Sequence, residues 1–363
     1  MLLLLVATLH INAQAPAVQW QKSFGEKNLD YDIQRTTDGG YIVAKRSGPI
    51  NGGYTWIIKF NSFGTIVWKK KLGRKNILYE ILYGAKSVQQ TSDGGYVVAG
   101  YTWSSYHGDN CWIIKFNYLG TIVWKKSLGG SDFDIATSIQ QTTDGGYIVA
   151  GGSDSNDGDV TGNHGGSDYW IVKLNSSGTI EWQKSLGGSD DDLAYSIQQT
   201  TDGGYIVAGC AHSNDGDITG HHGSTRCTDY WIVKLSSSGT IEWQKSLGGN
   251  CDDIAEAIQQ TSDGGYVVAG RLSSNDGDGT EHHGSNGTSD YWIVKLNSSG
   301  TIEWQKSLGG SGNDGPCLVW QTSDSGYIIT GYSWSTDGDV IEHQGPASSG
   351  NYWIVKLGYP TRF

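Results

Sequence analysis

One methionine and five prolines stand against 54 glycines, 15 tryptophans and 20 tyrosines in these 363 residues. Good helix formers are scarce, and the abundant residues favour strands joined by tight turns, so an all-β fold is expected. Positive charge is short as well. A net charge of −12 argues against nucleic acid as a partner, because a phosphate backbone needs clustered Lys and Arg. Cations or neutral ligands suit the chain better. Long apolar runs are missing: Leu2–Leu9 is too short to cross a bilayer, which takes about 20 apolar residues. Followed by Ala13-Gln14-Ala15, it reads as a signal peptide over residues 1–15, with no membrane span and export to the extracellular space or cell surface. Repeated cysteines are also absent. Cys111, Cys210, Cys227, Cys251 and Cys317 fall at unrelated positions, so no disulfide framework defines the fold. Cys210 and Cys227 bracket one loop and are the candidate pair in an exported protein.

What the chain does contain is a sixfold repeat with three signatures. A Trp followed by Gln/Lys-Lys recurs at Trp20, Trp68, Trp124, Trp182, Trp243 and Trp304. An Asp-(Gly/Ser)-Gly-Tyr turn ends at Tyr41, Tyr96, Tyr147, Tyr205, Tyr266 and Tyr327. Trp-Ile-(Ile/Val)-Lys begins at Trp56, Trp112, Trp170, Trp231, Trp292 and Trp353. Between them each unit has four strand-like segments, a to d: a polar strand a, a continuous apolar strand b, strand c, and an alternating, half-exposed strand d. Such units arranged radially predict a six-bladed β-propeller, with residues 16–363 as one domain. The first repeat opens on a lone strand d at Trp20 and the last stops after strand c at Trp353. Residues 18–23 are therefore expected to pair in the last blade and close the ring, since an open array would leave two unpaired edges. Donation of that strand to a neighbouring molecule, giving a filament, is the competing arrangement.

The stretch Tyr169-Trp-Ile-Val-Lys-Leu-Asn-Ser-Ser-Gly-Thr-Ile-Glu-Trp182 resembles the propeller repeats of pyrroloquinoline-quinone-dependent dehydrogenases. The whole unit, from Ser-Leu-Gly-Gly through Asp-Gly-Gly-Tyr-Ile-Val-Ala-Gly, is similar to uncharacterised secreted repeat proteins of environmental bacteria over residues 18–357. Both resemblances imply architecture rather than activity. The quinone enzymes use more blades and often carry adjacent cysteines that this chain lacks, so their cofactor is not implied. The turn Asn175-Ser-Ser-Gly178 also resembles the sialidase Asp-box, without its central Asp and without an arginine triad elsewhere.

In a propeller the d-to-a and b-to-c connections share one face, and here they hold the long acidic loops. Blades 3 to 6 repeat (Asn/Thr)-Asp-Gly-Asp, giving the pairs Asp157/Asp159, Asp215/Asp217, Asp276/Asp278 and Asp337/Asp339. The d-to-a connections of the same blades carry Asp134, Asp192, Asp253 and Asp314, whereas blades 1 and 2 have neither feature. Hard oxygen ligands on a Gly-kinked loop are what Ca²⁺ selects; turn capping of nearby amides is the other reading. His164, His222 and His283 follow their loops by five residues, with Gln344 in blade 6. They are candidate ligand-binding groups, as are Trp103 and Trp334, the face-side tryptophans outside the scaffold, through stacking on sugars. Fourfold repetition is unlike a single asymmetric active site. The expected function is a secreted binding or scaffold propeller that recognises an extracellular glycan or protein with its acidic face, stabilised by Ca²⁺ and capable of self-association. An extracellular polysaccharide hydrolase or lyase is the alternative.

Overall fold

The computed structural model describes residues 15–24, 31–47, 54–73, 81–103, 108–223, 227–279, 281–285, 287–341, 343 and 350–358. The expected signal peptide falls almost wholly outside them. Within them six antiparallel four-stranded sheets form a ring, and they contain no helix. Blade 1 is β2 (Tyr31–Arg35), β3 (Tyr41–Ser47), β4 (Tyr54–Phe60) and β5 (Ile66–Leu72). Blade 2 is β6 (Ile81–Gln90), β7 (Tyr96–Trp103), β8 (Cys111–Phe116) and β9 (Ile122–Leu128). Blades 3, 4 and 5 follow the same order over Asp134–Leu186 (β10–β13), Asp192–Leu247 (β14–β17) and Ile254–Leu308 (β18–β21). Blade 6 combines β22 (Asp314–Gln321), β23 (Tyr327–Ser333) and β24 (Asn351–Leu357) with β1 (Val18–Phe24) from the other end of the chain. Trp20 lies opposite Lys356 and Ser23 opposite Trp353. Ring closure is therefore internal, and strand donation is not needed to satisfy the edge of β24.

Each signature has a physical job. The strand-d Trp of one blade meets the strand-b Tyr of the next edge-to-face: Trp68 on Tyr96, Trp124 on Tyr147, Trp182 on Tyr205, Trp243 on Tyr266 and Trp304 on Tyr327, with centroids 5.4–5.8 Å apart. That geometry matches the attraction between ring edge and ring face. The strand-c lysine, buried in every blade, pairs with the Asp of the a-to-b turn: Lys59 with Asp38 at 2.8 Å, Lys173 with Asp144 at 2.8 Å, Lys356 with Asp324 at 3.0 Å. The same Asp caps its own turn, so Asp38 also accepts from Gly40 N–H at 3.0 Å. Hydrogen bonds from Lys59 and Thr36 hold the Asp38 carboxyl well below the usual range.

Strand a is the innermost of each blade. Its glutamines do not simply meet channel water. Gln34, Gln89, Gln140, Gln198 and Gln259 each accept the backbone N–H of a glutamine in the next blade, at 2.5–2.6 Å. The polar pattern of strand a thus supplies inter-blade bonds to groups that have no strand beside them.

Candidate functional site at the loop face and channel mouth

In blades 3 to 6 the Asp-Gly-Asp loop and the d-to-a aspartate meet on the same Gly-containing connection. In blade 3, Asp134 is fully buried and accepts from Gly130 N–H at 2.7 Å and Ser155 Oγ at 3.0 Å. Asp157 Oδ1 accepts from Ser131 N–H at 2.7 Å, and the Asp159 amide donates to Gly129 O at 2.9 Å. The loop clamps the Gly-Gly of the d-to-a connection. Blades 4, 5 and 6 repeat the clamp with Asp215, Asp276 and Asp337, at 2.7–2.8 Å. The central glycine is required twice over. Gly216 has φ +62°, and a Cβ there would stand 2.2 Å from Gly187 O. Burial pushes the carboxyls of Asp192 and Asp253 up to about 6. Among the described residues, no three His, Cys, Asp or Glu side chains are grouped so as to hold a metal ion. One oxygen each of Asp157, Asp215, Asp276 and Asp337 accepts a backbone N–H of the d-to-a connection, which is the geometry of turn capping.

The histidines also have partners, at aspartates that open strand c. His164 Nδ1 lies 2.7 Å from Asp168 Oδ2, His222 Nδ1 3.0 Å from Asp229 Oδ2, and His283 Nδ1 2.7 Å from Asp290 Oδ2. The hydrogen bond to Asp168 raises the His164 pKa. His222 and His283 further lean towards the next blade's loop, with Nε2 3.5 Å from Asp278 and 3.7 Å from Asp339. Sequence reasoning missed Asp168, Asp229 and Asp290. A signal existed: blade 6, which has Gln344 in place of the His, has Asn351 in place of this Asp. Trp334 is 37% exposed, and its indole lies against Gly350, where a Cβ would meet Cε2 at 2.8 Å. The Trp103 side chain lies outside the described residues. No disulfide joins Cys210 to Cys227. Cys210 sits inside strand b of blade 4, while Cys227 Sγ donates to Asn250 O at 3.0 Å, which corrects the expected disulfide.

A second missed set is not repetitive at all. Strand a carries a β-bulge near its start in blades 2 to 6, and the bulged residues are Lys86, Thr137, Tyr195, Glu256 and Cys317. They differ in every blade, while the flanking residues are Ala and Ser in blades 2 to 4, Ala and Ala in blade 5, and Pro and Leu in blade 6. Bulges re-aim a side chain and are frequent beside binding sites. The residue after the strand-b Gly varies too, giving Tyr101, Gly152, Cys210, Arg271 and Tyr332. The two rings touch within blades. Lys86 Nζ lies 5.9 Å from the Tyr101 ring centroid, Arg271 Nη2 2.8 Å from Glu256 Oε1, and Tyr195 hydrogen-bonds Cys210. They also act across the centre: burial raises the Glu256 pKa, while Arg271 beside it and Lys86 of blade 2, on the far side of the ring, lower it. The channel mouth therefore holds an asymmetric set of tyrosines and charged groups inside a symmetric scaffold.

No family model matches the chain. Over 163 residues, 43% of the chain, it is 27% identical to Regulatory protein FlaEY of Caulobacter vibrioides, and the match spans 17% of that protein's length. A crystal structure of a protein of unknown function from Dyadobacter fermentans superposes with a TM-score of 0.53 at 10% identity, covering 95% of this chain and 99% of that one. The Neurospora crassa Pan2 WD40 domain gives 0.49 at 10% identity, over 91% and 89%. A putative gluconolactonase gives 0.47 at 9% identity, over 97% and 96%. At 10% identity the likeness to the Dyadobacter fermentans protein is one of fold alone, and the six four-stranded sheets make the chain a six-bladed β-propeller whose chemistry rests on its own loop face and channel mouth.

Proposed function

We propose that the protein is a secreted binding propeller that holds an extracellular glycan or protein segment at the channel mouth of its acidic loop face. The observation that carries this reading is the pair of variable rings. A chain that repeats much of its sequence departs from the repeat at the bulged residues and at the residue after the strand-b Gly, and there presents Lys86, Tyr195 and Glu256 from the first ring and Arg271 and Tyr332 from the second. Tyrosine faces stack on sugar rings or peptide side chains, and charged groups fix orientation by hydrogen bonds. The alternative of polysaccharide hydrolysis calls for two carboxylates flanking a scissile bond. Glu256 is the one carboxylate in the rings and is held by Arg271. In this reading the loop aspartates serve structure first, by closing the clamps that frame the mouth; Ca²⁺ would compete with donors already in place.

A glycan-array and peptide-array screen with and without Ca²⁺ tests the proposal, followed by titration of the best ligand against Lys86→Ala and Tyr195→Phe. Binding that falls at least about tenfold in both variants supports it, since lost contacts at a central hot spot typically have that size. Unchanged affinity in both would move the site away from the channel mouth.

A further inference from the structure

A second surface, on the outer rim of blades 1 and 2, is built for a different partner. In blades 3 to 5 the c-to-d turn is Ser-Ser-Gly, and strand d carries Glu181, Glu242 and Glu303 before its Trp. In blades 1 and 2 the turns hold Phe63, Tyr118 and Leu119, and the glutamates are replaced by Val67 and Val123. Phe63 is 91% exposed, Tyr118 64% and Leu119 60%. Ile66, Val67, Ile122 and Val123 on the adjoining strands are exposed as well. The two turns are neighbours: Trp68 of blade 1 donates its indole N–H to Tyr118 O at 3.1 Å. Contiguous exposed apolar surface of this kind marks an interaction site.

The valines also work against stability. Glu181 lies 2.8 Å from the buried Lys173, and Glu242 and Glu303 pair in the same way with Lys234 and Lys295. Lys59 and Lys115, buried in the same manner, have no glutamate at that position. Blades 1 and 2 thus give up an ion pair each while exposing apolar groups.

Charge identifies the partner. Residues 18–128 hold 15 Lys and Arg against 7 Asp and Glu, and residues 129–363 hold 10 against 30. Immediately along the strands from the apolar turns come the exposed Lys69, Lys70, Lys71 and Lys125 and the half-buried Lys126. With about 3.3 Å per strand residue, the lysines begin roughly 7–10 Å from the valines. Apolar tips followed by a basic collar at this depth fit the layering of an anionic lipid surface, whose acyl boundary lies below its charged headgroups. We propose that the rim of blades 1 and 2 docks the protein on an anionic lipid bilayer, with Phe63 and Leu119 entering the interface and the lysines meeting the headgroups. No helix among the described residues is long and apolar enough to cross a membrane.

The test is flotation of the purified full chain with vesicles of phosphatidylcholine alone or mixed with phosphatidylglycerol, at low and high salt. The expected result is flotation with the anionic vesicles, weakened by salt. Partitioning should fall at least about tenfold for Phe63→Ser/Leu119→Ser and for Val67→Glu/Val123→Glu, both borrowed from this chain's own blades 3 to 5. The glutamate variant should unfold at a higher temperature than the parent, so lost flotation is not lost folding. Absence of flotation, equal flotation on neutral vesicles, or parent-like binding by both variants overturns the proposal. So does a parent protein that self-associates through this rim instead, dissociating in the Val67→Glu/Val123→Glu variant without vesicles.

Discussion

Trp353 donates its indole N–H to Gln21 Oε1 at 2.7 Å, across 332 residues of sequence. The same bond joins Trp170 to Gln183, Trp231 to Gln244 and Trp292 to Gln305 within blades 3, 4 and 5, at 2.7–3.0 Å and a spacing of 13 residues. The first strand of the chain is thus chemically a strand d, placed where the sixth blade lacks one.

Removing residues 15–24 should therefore leave the edge of β24 open. We expect the truncated chain to aggregate or to melt well below the parent, and a synthetic peptide of those residues, added in trans, to restore a monomer. Size-exclusion chromatography with light scattering checks this. A truncated chain that stays monomeric with an unchanged midpoint would show that β1 is dispensable for closure.

The lysine–aspartate pairs make a comparative prediction. Asp144→Ala leaves Lys173 with Glu181 at 2.8 Å, whereas Asp38→Ala leaves Lys59 with Phe60 O at 2.7 Å and no carboxylate in the strand-d position. Stranding a buried charge is costly, but both aspartates are more than half exposed and so partly screened by solvent. Asp38→Ala should cost about 1–2 kcal/mol more than Asp144→Ala in urea unfolding. Equal losses would mean that the glutamates add nothing.

Stability should fall as pH rises. The folded-state pKa of Asp192 and of Asp253 is raised by burial from 3.8 to about 6. A raised pKa means the folded state keeps a proton that the unfolded state releases. The stabilisation is complete below about pH 4 and is lost as pH climbs to about 6, on the order of 3 kcal/mol per group. His164, raised by Asp168, extends the loss above its ordinary value of 6.5. Thermal unfolding between pH 4 and 8 should show this slope, and Asp192→Asn should flatten it. A flat parent profile would refute the burial argument.

Because the loop carboxylates already have donors, we expect Ca²⁺ and excess chelator to leave the thermal midpoint of the parent unchanged. Gly216→Ala, by contrast, should cost about 2–4 kcal/mol, since it forces a Cβ into Gly187 O at a positive φ. A bound cation at about 100 times its dissociation constant would add about 2.7 kcal/mol instead. That outcome would replace capping with metal binding at Asp215 and Asp217.

The sequence by itself determined the blade count, the four-strand unit, the closing strand and the face that carries the acidic loops, because these follow from periodicity and from where the repeat begins and ends. Local patterns were enough to read them. It also brought Asp192 and the Asp215/Asp217 loop into one blade by correlation, yet did not say what their oxygens bind. The donors decide that. The Ser189 amide that caps Asp215 is 26 residues away, and Asp168, which holds His164, belongs to a strand that reads as pure scaffold. The first variable ring lay in plain view as the one changing letter of Ala-Lys-Ser, Ala-Thr-Ser and Ala-Tyr-Ser in blades 2 to 4. Only the tertiary structure gave it meaning: an extra residue in strand a of blades 2 to 6 breaks the twofold alternation of side chains, and ring closure brings Lys86 and Glu256, 170 positions apart, to opposite sides of one channel.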